Sequence, residues 1–384
     1  MKRIYLDHNA TAPINPDVLK AMLPFFDQYF GNPSSVHSFG REANEAVTKA
    51  REQVATLIGV EPAQIVFTSG GTESDNFAIK GIAYANERKG KHIITSQIEH
   101  PAVLSTCKFL EKRGFEVTYL KVDKYGKVDL DQLRDSIRDD TTLISIMHGN
   151  NEIGTIQDID QIGKIAAEKG IYYHTDAVQT CGKIPVDVST SNVTLLSMSG
   201  HKIYGPKGVG ALFIKKGTRI LPQQHGGHHE SNRRAGTENV PGIVGLGKAC
   251  QLAQKSMTGN YRKLVDLRDR LQNELSARIE DTIVNGHPTD RLPNTLNMCF
   301  RYVEGESMIM MLDMKGVAVS SGSACTSGSL DPSHVLLAIG LSHEIAHGSL
   351  RFSLGVENTR EDIDYVAEVL PEIVQRLRKM SALT

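Results

Sequence analysis

Long hydrophobic runs are missing from this 384-residue chain: no apolar stretch approaches the ~18 residues that a spanning helix requires, which excludes a helical membrane protein. An excess of either charge is missing too. The 43 Lys and Arg against 44 Asp and Glu leave a formal net charge of -1, so nothing in the chain gathers nucleic acid or an anionic membrane electrostatically. Small-molecule chemistry is the better expectation. Cysteine is scarce: its five copies, Cys107, Cys181, Cys250, Cys299 and Cys325, are odd in number and form no Cys-x-x-Cys pair. That excludes a disulfide framework and the usual zinc and redox spacings. The first residues, Met1-Lys-Arg-Ile-Tyr-Leu-Asp-His8, reach an acid after three apolar or aromatic positions. These are too few for a secretory signal, and the expected location is the cytoplasm. Repeats and low-complexity tracts are absent as well.

What is present is a regular alternation. Residues 41–59, 72–88, 103–113 and 159–169 have helical periodicity, and short apolar strands lie at 64–68, 92–95, 115–122, 143–147, 171–174, 193–198 and 209–214. Such units specify an α/β fold with a mostly parallel, seven-stranded sheet covered by helices on both faces. Near 256–260 the chain turns polar, then Leu264, Leu267, Leu271, Leu275 and Ile279 form one apolar stripe of a long helix. Strands near 297–300 and 350–352 and a last helix at 360–379 complete a smaller α+β part. The expected domains are therefore 16–258, carrying the main site, and a smaller one of 1–15 and 259–384.

Lys202 is the most telling residue, set in Ser197-Met-Ser-Gly-His-Lys-Ile-Tyr-Gly-Pro-Lys-Gly208 directly after an apolar strand. An ammonium there must be neutralised, paired or made covalent. A cofactor aldehyde achieves the last by a Schiff base. Ser199 and His201 can donate to a phosphate, and Asp176, where another strand runs out, can pair with a ring nitrogen, with Gln179 three positions on. Ser69-Gly-Gly-Thr-Glu-Ser74 follows a strand and opens a helix, so Gly71 and Thr72 offer an anion site at a positive helix end; alone, it reads as a tight turn with Thr72 as N-cap. His100, in Glu99-His-Pro101, suits stacking and proton transfer, and Asn151 suits a ring oxygen or a substrate carboxylate. Together these residues read as a pyridoxal phosphate site, converging beyond the carboxyl ends of the strands. Arg351 alternates with apolar residues in Ser349-Leu-Arg-Phe-Ser-Leu-Gly355 and can grip a carboxylate with two N–H groups. In 320–329, nine of ten residues are small, flexible or hydroxylated, leaving Cys325 free to act as a nucleophile on a mobile loop. A thiol of pKa ~8.5 is only about 3% ionised at pH 7, so a local base or cation is expected to assist it. The other four cysteines read as small core residues.

These motifs resemble those of the cysteine desulfurases of the NifS and IscS type. The likeness runs from Tyr5-Leu-Asp-His-Asn-Ala-Thr11 through Gly31-Asn-Pro-Ser-Ser35 and Arg233-Arg-Ala-Gly-Thr-Glu-Asn239 to Arg351-Phe-Ser-Leu354. The resemblance implies a homodimeric fold-type I pyridoxal phosphate enzyme that takes sulfur from L-cysteine, releases L-alanine and leaves a persulfide on Cys325. It also implies a sulfur-accepting protein such as an iron-sulfur scaffold. By the same match Lys202 forms the Schiff base and removes the α-proton, Asp176 pairs with the ring nitrogen, Gln179 contacts the ring oxygen and His100 stacks on the ring. Thr72, Ser199 and His201 hold the phosphate, Asn151 assists, Arg351 binds the substrate carboxylate, and Thr237 reaches the phosphate of the neighbouring subunit. No structural metal is expected; Cys325 is the residue that would meet iron or a cluster during transfer. Two departures, Thr11-Ala12 for a double threonine and the loop Gly227-His-His-Glu230, imply fine tuning at most. A selenocysteine lyase is the nearest alternative. His343-Glu-Ile-Ala-His347 matches a zinc-hydrolase signature, but Gly340, Ser342 and Gly348 leave little more than one helical turn around it.

Overall fold

The computed structural model describes residues 3–321 and 332–380. Its centre is a seven-stranded sheet in the order Ile65–Thr68, Gly210–Ile214, Leu195–Ser199, Tyr172–Asp176, Thr141–Ser145, His92–Ser96, Glu116–Leu120. The last five run parallel, while Gly210–Ile214 is antiparallel to both its neighbours. The strands Ile65–Thr68, His92–Ser96, Thr141–Ser145, Leu195–Ser199 and Gly210–Ile214 are buried throughout, as expected where helices cover both faces. Register aligns the strand ends that matter: Asp176 lies opposite Ser197, and Ser199 opposite Gly210. A separate antiparallel sheet, Ser349–Ser353, Thr295–Phe300, Thr282–Asn285, carries Arg351 opposite Asn297. A short parallel pair, Ile4–Tyr5 with Val317–Ala318, ties the first residues to this second sheet, where Asp7 bridges Ser353.

One helix differs from the sequence expectation. It begins not near 260 but at Val240, and runs 39 residues to Arg278 as one element. Position 258 therefore falls inside a helix. The core changes along it: Val240, Ile243, Leu246 and Cys250 pack with Val47, Val54 and Ile203, whereas Leu264, Leu267, Leu271 and Leu275 pack with Phe300, Phe352, Leu370 and Val374. The helices Pro16–Met22 and Gly305–Met314 are additions that the periodicity did not reveal.

Burial shifts the titration of many groups in this fold. Seven histidines (His8, His92, His100, His148, His174, His201 and His334) are held below the usual imidazole range, chiefly by burial, several of them down to about 4. Each binds a proton in the unfolded chain near pH 6.5 and resists it in the fold, so its stabilisation is present above pH 6.5 and lost as pH falls towards about 4. Four buried carboxyls, Asp75, Glu99, Glu152 and Asp176, are raised and act in the opposite sense over the same range, offsetting that loss.

Candidate active site

The carboxyl ends of the parallel strands open into a cavity of about 340 Å³. Gly71, Thr72, His100, Asn151, Asp176, Gln179, Ser199, His201, Lys202 and Arg351 all line it, so ten of the twelve residues singled out by sequence converge on one place. Thr237 is exposed and does not line it. Cys325 lies outside the described residues.

Lys202 closes the 3-10 turn Gly200–Lys202 that follows the strand Leu195–Ser199. Its Nζ donates to two backbone carbonyls, those of Asn9 at 2.5 Å and Ala10 at 2.8 Å. The amine is thus held at the cavity by the amino-terminal segment. Asp176 ends its strand buried, accepting the Val178 N–H at 2.9 Å. Burial raises its pKa, opposed by His100, by that N–H and by Lys202. His100 caps the helix Pro101–Glu111: its Nδ1 accepts the Ala102 N–H at 3.1 Å, which leaves Nε2 to carry the ring proton. Burial lowers its pKa, with Asp176 pulling the other way.

At the opposite end, the helix Gly71–Ala85 begins beside Ser199, and its first-turn N–H groups have no partner within the helix. Gly70, not Thr72, is the N-cap, with φ at 150°. A side chain there would meet only Ser199 Oγ, at 3.8 Å, so glycine keeps the space before the helix end clear. His201 Nδ1 is 3.1 Å from Thr11 Oγ1. Arg351 is 3% exposed; its Nη2 donates to Asp7 at 2.8 Å and its Nη1 to the Asn151 carbonyl at 3.1 Å, and its Nε is buried without a partner.

A family model described as aminotransferase class-V matches residues 4–366. The chain belongs to the aminotransferase class-V family. As a member of that family it uses pyridoxal phosphate. It is 60% identical over 383 residues to a protein named cysteine desulfurase IscS from Methanosarcina thermophila, covering 100% of this chain and 95% of that one. Among solved structures it is similar to a NifS-like protein at 40% identity and a TM-score of 0.93, covering 98% of this chain and 100% of the other. It is also similar to SspA in complex with cysteine at 39% identity and a TM-score of 0.81, covering 92% and 99%.

The class-V cofactor fits the donor set. A buried acid whose pKa burial raises gains a positive partner from a protonated ring nitrogen. The cleared helix end with Ser199 and His201 suits a phosphate, and an amine held on two carbonyls suits an aldehyde.

Sequence reasoning missed several residues of this class-V site. Asn9 is 2% exposed, and besides holding Lys202 through its carbonyl it donates from Nδ2 to the Asn151 carbonyl (3.0 Å) and Thr295 Oγ1 (2.8 Å). Its motif was visible, but not a role. Asp75, one turn into the phosphate-end helix, also lines the cavity; its Oδ1 is buried without a hydrogen bond, 3.5 Å from His174 Nε2, and burial and Asp176 raise its pKa well above the usual range. Glu99 accepts from Ser96 and the Met147 N–H, with its pKa raised by burial to about 8. The His343–His347 helix has five residues and both histidines exposed, and among the described residues no group of His, Cys, Asp and Glu could hold a metal.

Proposed function

We propose that the chain is a cysteine desulfurase that converts L-cysteine to L-alanine and places the sulfur on Cys325. The observation that carries the reading is the convergence on one cavity of an amine, a buried acid, a histidine, an anion-binding helix end and a buried arginine from separate chain segments. A similar protein solved in complex with cysteine supports the substrate class.

Pyridoxal phosphate, when bound, supplies an aldehyde for amines and a ring that accepts the electron pair released at the substrate α-carbon. Thr72, Ser199 and His201 hold its phosphate, Gln179 and Asn151 its ring oxygen, Asp176 its ring nitrogen, and His100 stacks against its face. Arg351 binds the substrate carboxylate with its guanidinium. Lys202 Nζ takes the α-proton and later returns a proton to carbon. The thiolate of Cys325 attacks the substrate sulfur: the S–S bond forms, the C–S bond breaks with its electrons passing to the carbon skeleton, and that skeleton leaves as alanine after proton uptake.

The proposal extends to a homodimer, a sulfur-accepting protein such as an iron-sulfur scaffold, a cytoplasmic location and a division at residue 258. Thr237 exposed away from the cavity, with Phe26, Phe30, Val36 and Phe39 also exposed, supports a second copy covering this chain. Four buried free cysteines support a reducing compartment, and among the described residues no helix is long and apolar enough to cross a membrane. The two apolar cores along the helix Val240–Arg278 support the division.

Cofactor-loaded protein given L-cysteine is expected to yield alanine and a protein persulfide, and Cys325→Ser is expected to keep the visible cofactor band while losing at least about a hundredfold in alanine formation. Wild-type protein that forms no alanine overturns the function. Sustained turnover by Cys325→Ser removes that thiol from the reaction.

A further inference from the structure

Lys183 does not line the cavity, yet it is bonded to residues that do. Its Nζ donates to Gln179 Oε1 at 2.8 Å and to Asn9 Oδ1 at 3.3 Å. A carboxamide has an oxygen and a nitrogen end of nearly the same shape, so its sense is fixed only by its partners. A lysine amine bound to two oxygens acts there purely as a donor. With Oε1 turned to Lys183, Gln179 must present Nε2 on the other side, where one N–H reaches the Asn9 carbonyl at 3.0 Å. The second remains for an acceptor in the cavity.

The same amine fixes the sense of Asn9. Its Oδ1 accepts from Lys183 and from Asn294 Nδ2 at 3.0 Å, which turns Nδ2 towards Asn151 and Thr295. The carbonyl of Asn9 is the one that holds Lys202. Thus one amine sets two amides that flank the reactive lysine. It does so without an anion, since among the described residues Lys183 forms no ion pair. The charged and titratable groups facing it are His8, His201, Lys202 and Arg351; burial first, then Lys202 and Arg351, push its pKa down to about 7. In its protonated form it has three N–H groups and no lone pair, so it can only donate to both oxygens.

We propose that Lys183 is a positioning residue that locks the Gln179 carboxamide with its N–H side towards the ring oxygen of the bound cofactor. The inference rests on the cofactor reading of the cavity and adds a residue outside it.

The test is a double-mutant cycle on full-length, pyridoxal phosphate-loaded protein at pH 6, where the amine is protonated and can only donate, reading the cofactor dissociation constant and absorption maximum. Lys183→Met and Gln179→Leu are each expected to weaken cofactor binding about fivefold to tenfold and to move the absorption maximum in the same direction. The double variant is expected to go no further than Gln179→Leu. Lys183→Arg, still only a donor, is expected to restore most of the binding. Should Lys183→Met fail to fold, Lys183→Gln, of similar length but with no fixed donor end, takes its place in the cycle. Additive losses, or a variant lacking the amine that binds and absorbs like wild type, overturn the assignment. Wild-type protein without a visible cofactor band sinks the cofactor reading as well, and that outcome is distinct from additive losses.

Discussion

Lys202→Ala is expected to reduce alanine formation from L-cysteine by about four orders of magnitude or more in kcat/KM. Two losses combine in this variant. The covalent hold on the cofactor goes, and so does the group that takes the α-proton. Among the described residues no other amine lines the cavity: Lys183 is directed at Gln179 and Asn9 and stays outside it. Folding is expected to change little, because the alanine leaves the Asn9 and Ala10 carbonyls beside an open cavity, where water can reach them. The measurement is alanine released per enzyme, together with the cofactor spectrum and borohydride labelling. Labelling at any other lysine in the wild-type protein, or turnover by Lys202→Ala within tenfold of wild type, would contradict the role given to this amine.

The second large effect concerns stability. Glu230→Ala is expected to cost about 3–5 kcal/mol, because it removes one partner of a largely buried ion pair and leaves the other uncompensated. The Glu230 side chain is 3% exposed and grips Arg51 with both oxygens, at 2.6 and 2.8 Å, while Oε2 also accepts the Phe67 N–H at 2.8 Å. Arg51 in turn donates to the Ile65 carbonyl and lies 4.6 Å over the Phe67 ring. One carboxylate therefore fastens the helix Ser38–Ile58 to the edge strand Ile65–Thr68, whose end leads into the phosphate-end helix. Urea unfolding of Glu230→Ala and Glu230→Gln should separate charge from hydrogen bonding, the glutamine losing distinctly less. A loss below about 1 kcal/mol for the alanine would place the pair among ordinary surface ion pairs.

Glu230 also shows where sequence reasoning stops. Its loop, Gly227-His-His-Glu230, reads as a variable surface stretch concerned with fine tuning. The residue that matters in it finds Arg51 179 positions away. No local pattern announces such a partner. The same holds for Lys183 and Asn9, whose importance lies in what their side chains touch across the chain. By contrast Lys202, Asp176, Gly71, Thr72 and His100 were legible because each sits at or just past a strand end, and strand ends gather on one edge of a parallel sheet. Arg351 was legible only beside the cofactor motifs, since an arginine alternating with apolar residues is also what an edge strand shows.

What the sequence by itself determined is the alternation of apolar strands and amphipathic helices, hence the sheet, and the chemistry of the residues at its carboxyl edge. Local periodicity and residue type carry that information. Only the tertiary structure decided the course of the helix Val240–Arg278. Gly242, Gly245 and Gly247 each lower helix propensity by about 1 kcal/mol relative to alanine, so the segment does not read as helix. In the fold those glycines let it approach its neighbours. A Cβ at Gly245 would lie 2.6 Å from Met22 Sδ, and one at Gly247 2.6 Å from Ala50 Cα. Close packing against the helices Pro16–Met22 and Ser38–Ile58 outweighs a preference that the chain alone expresses.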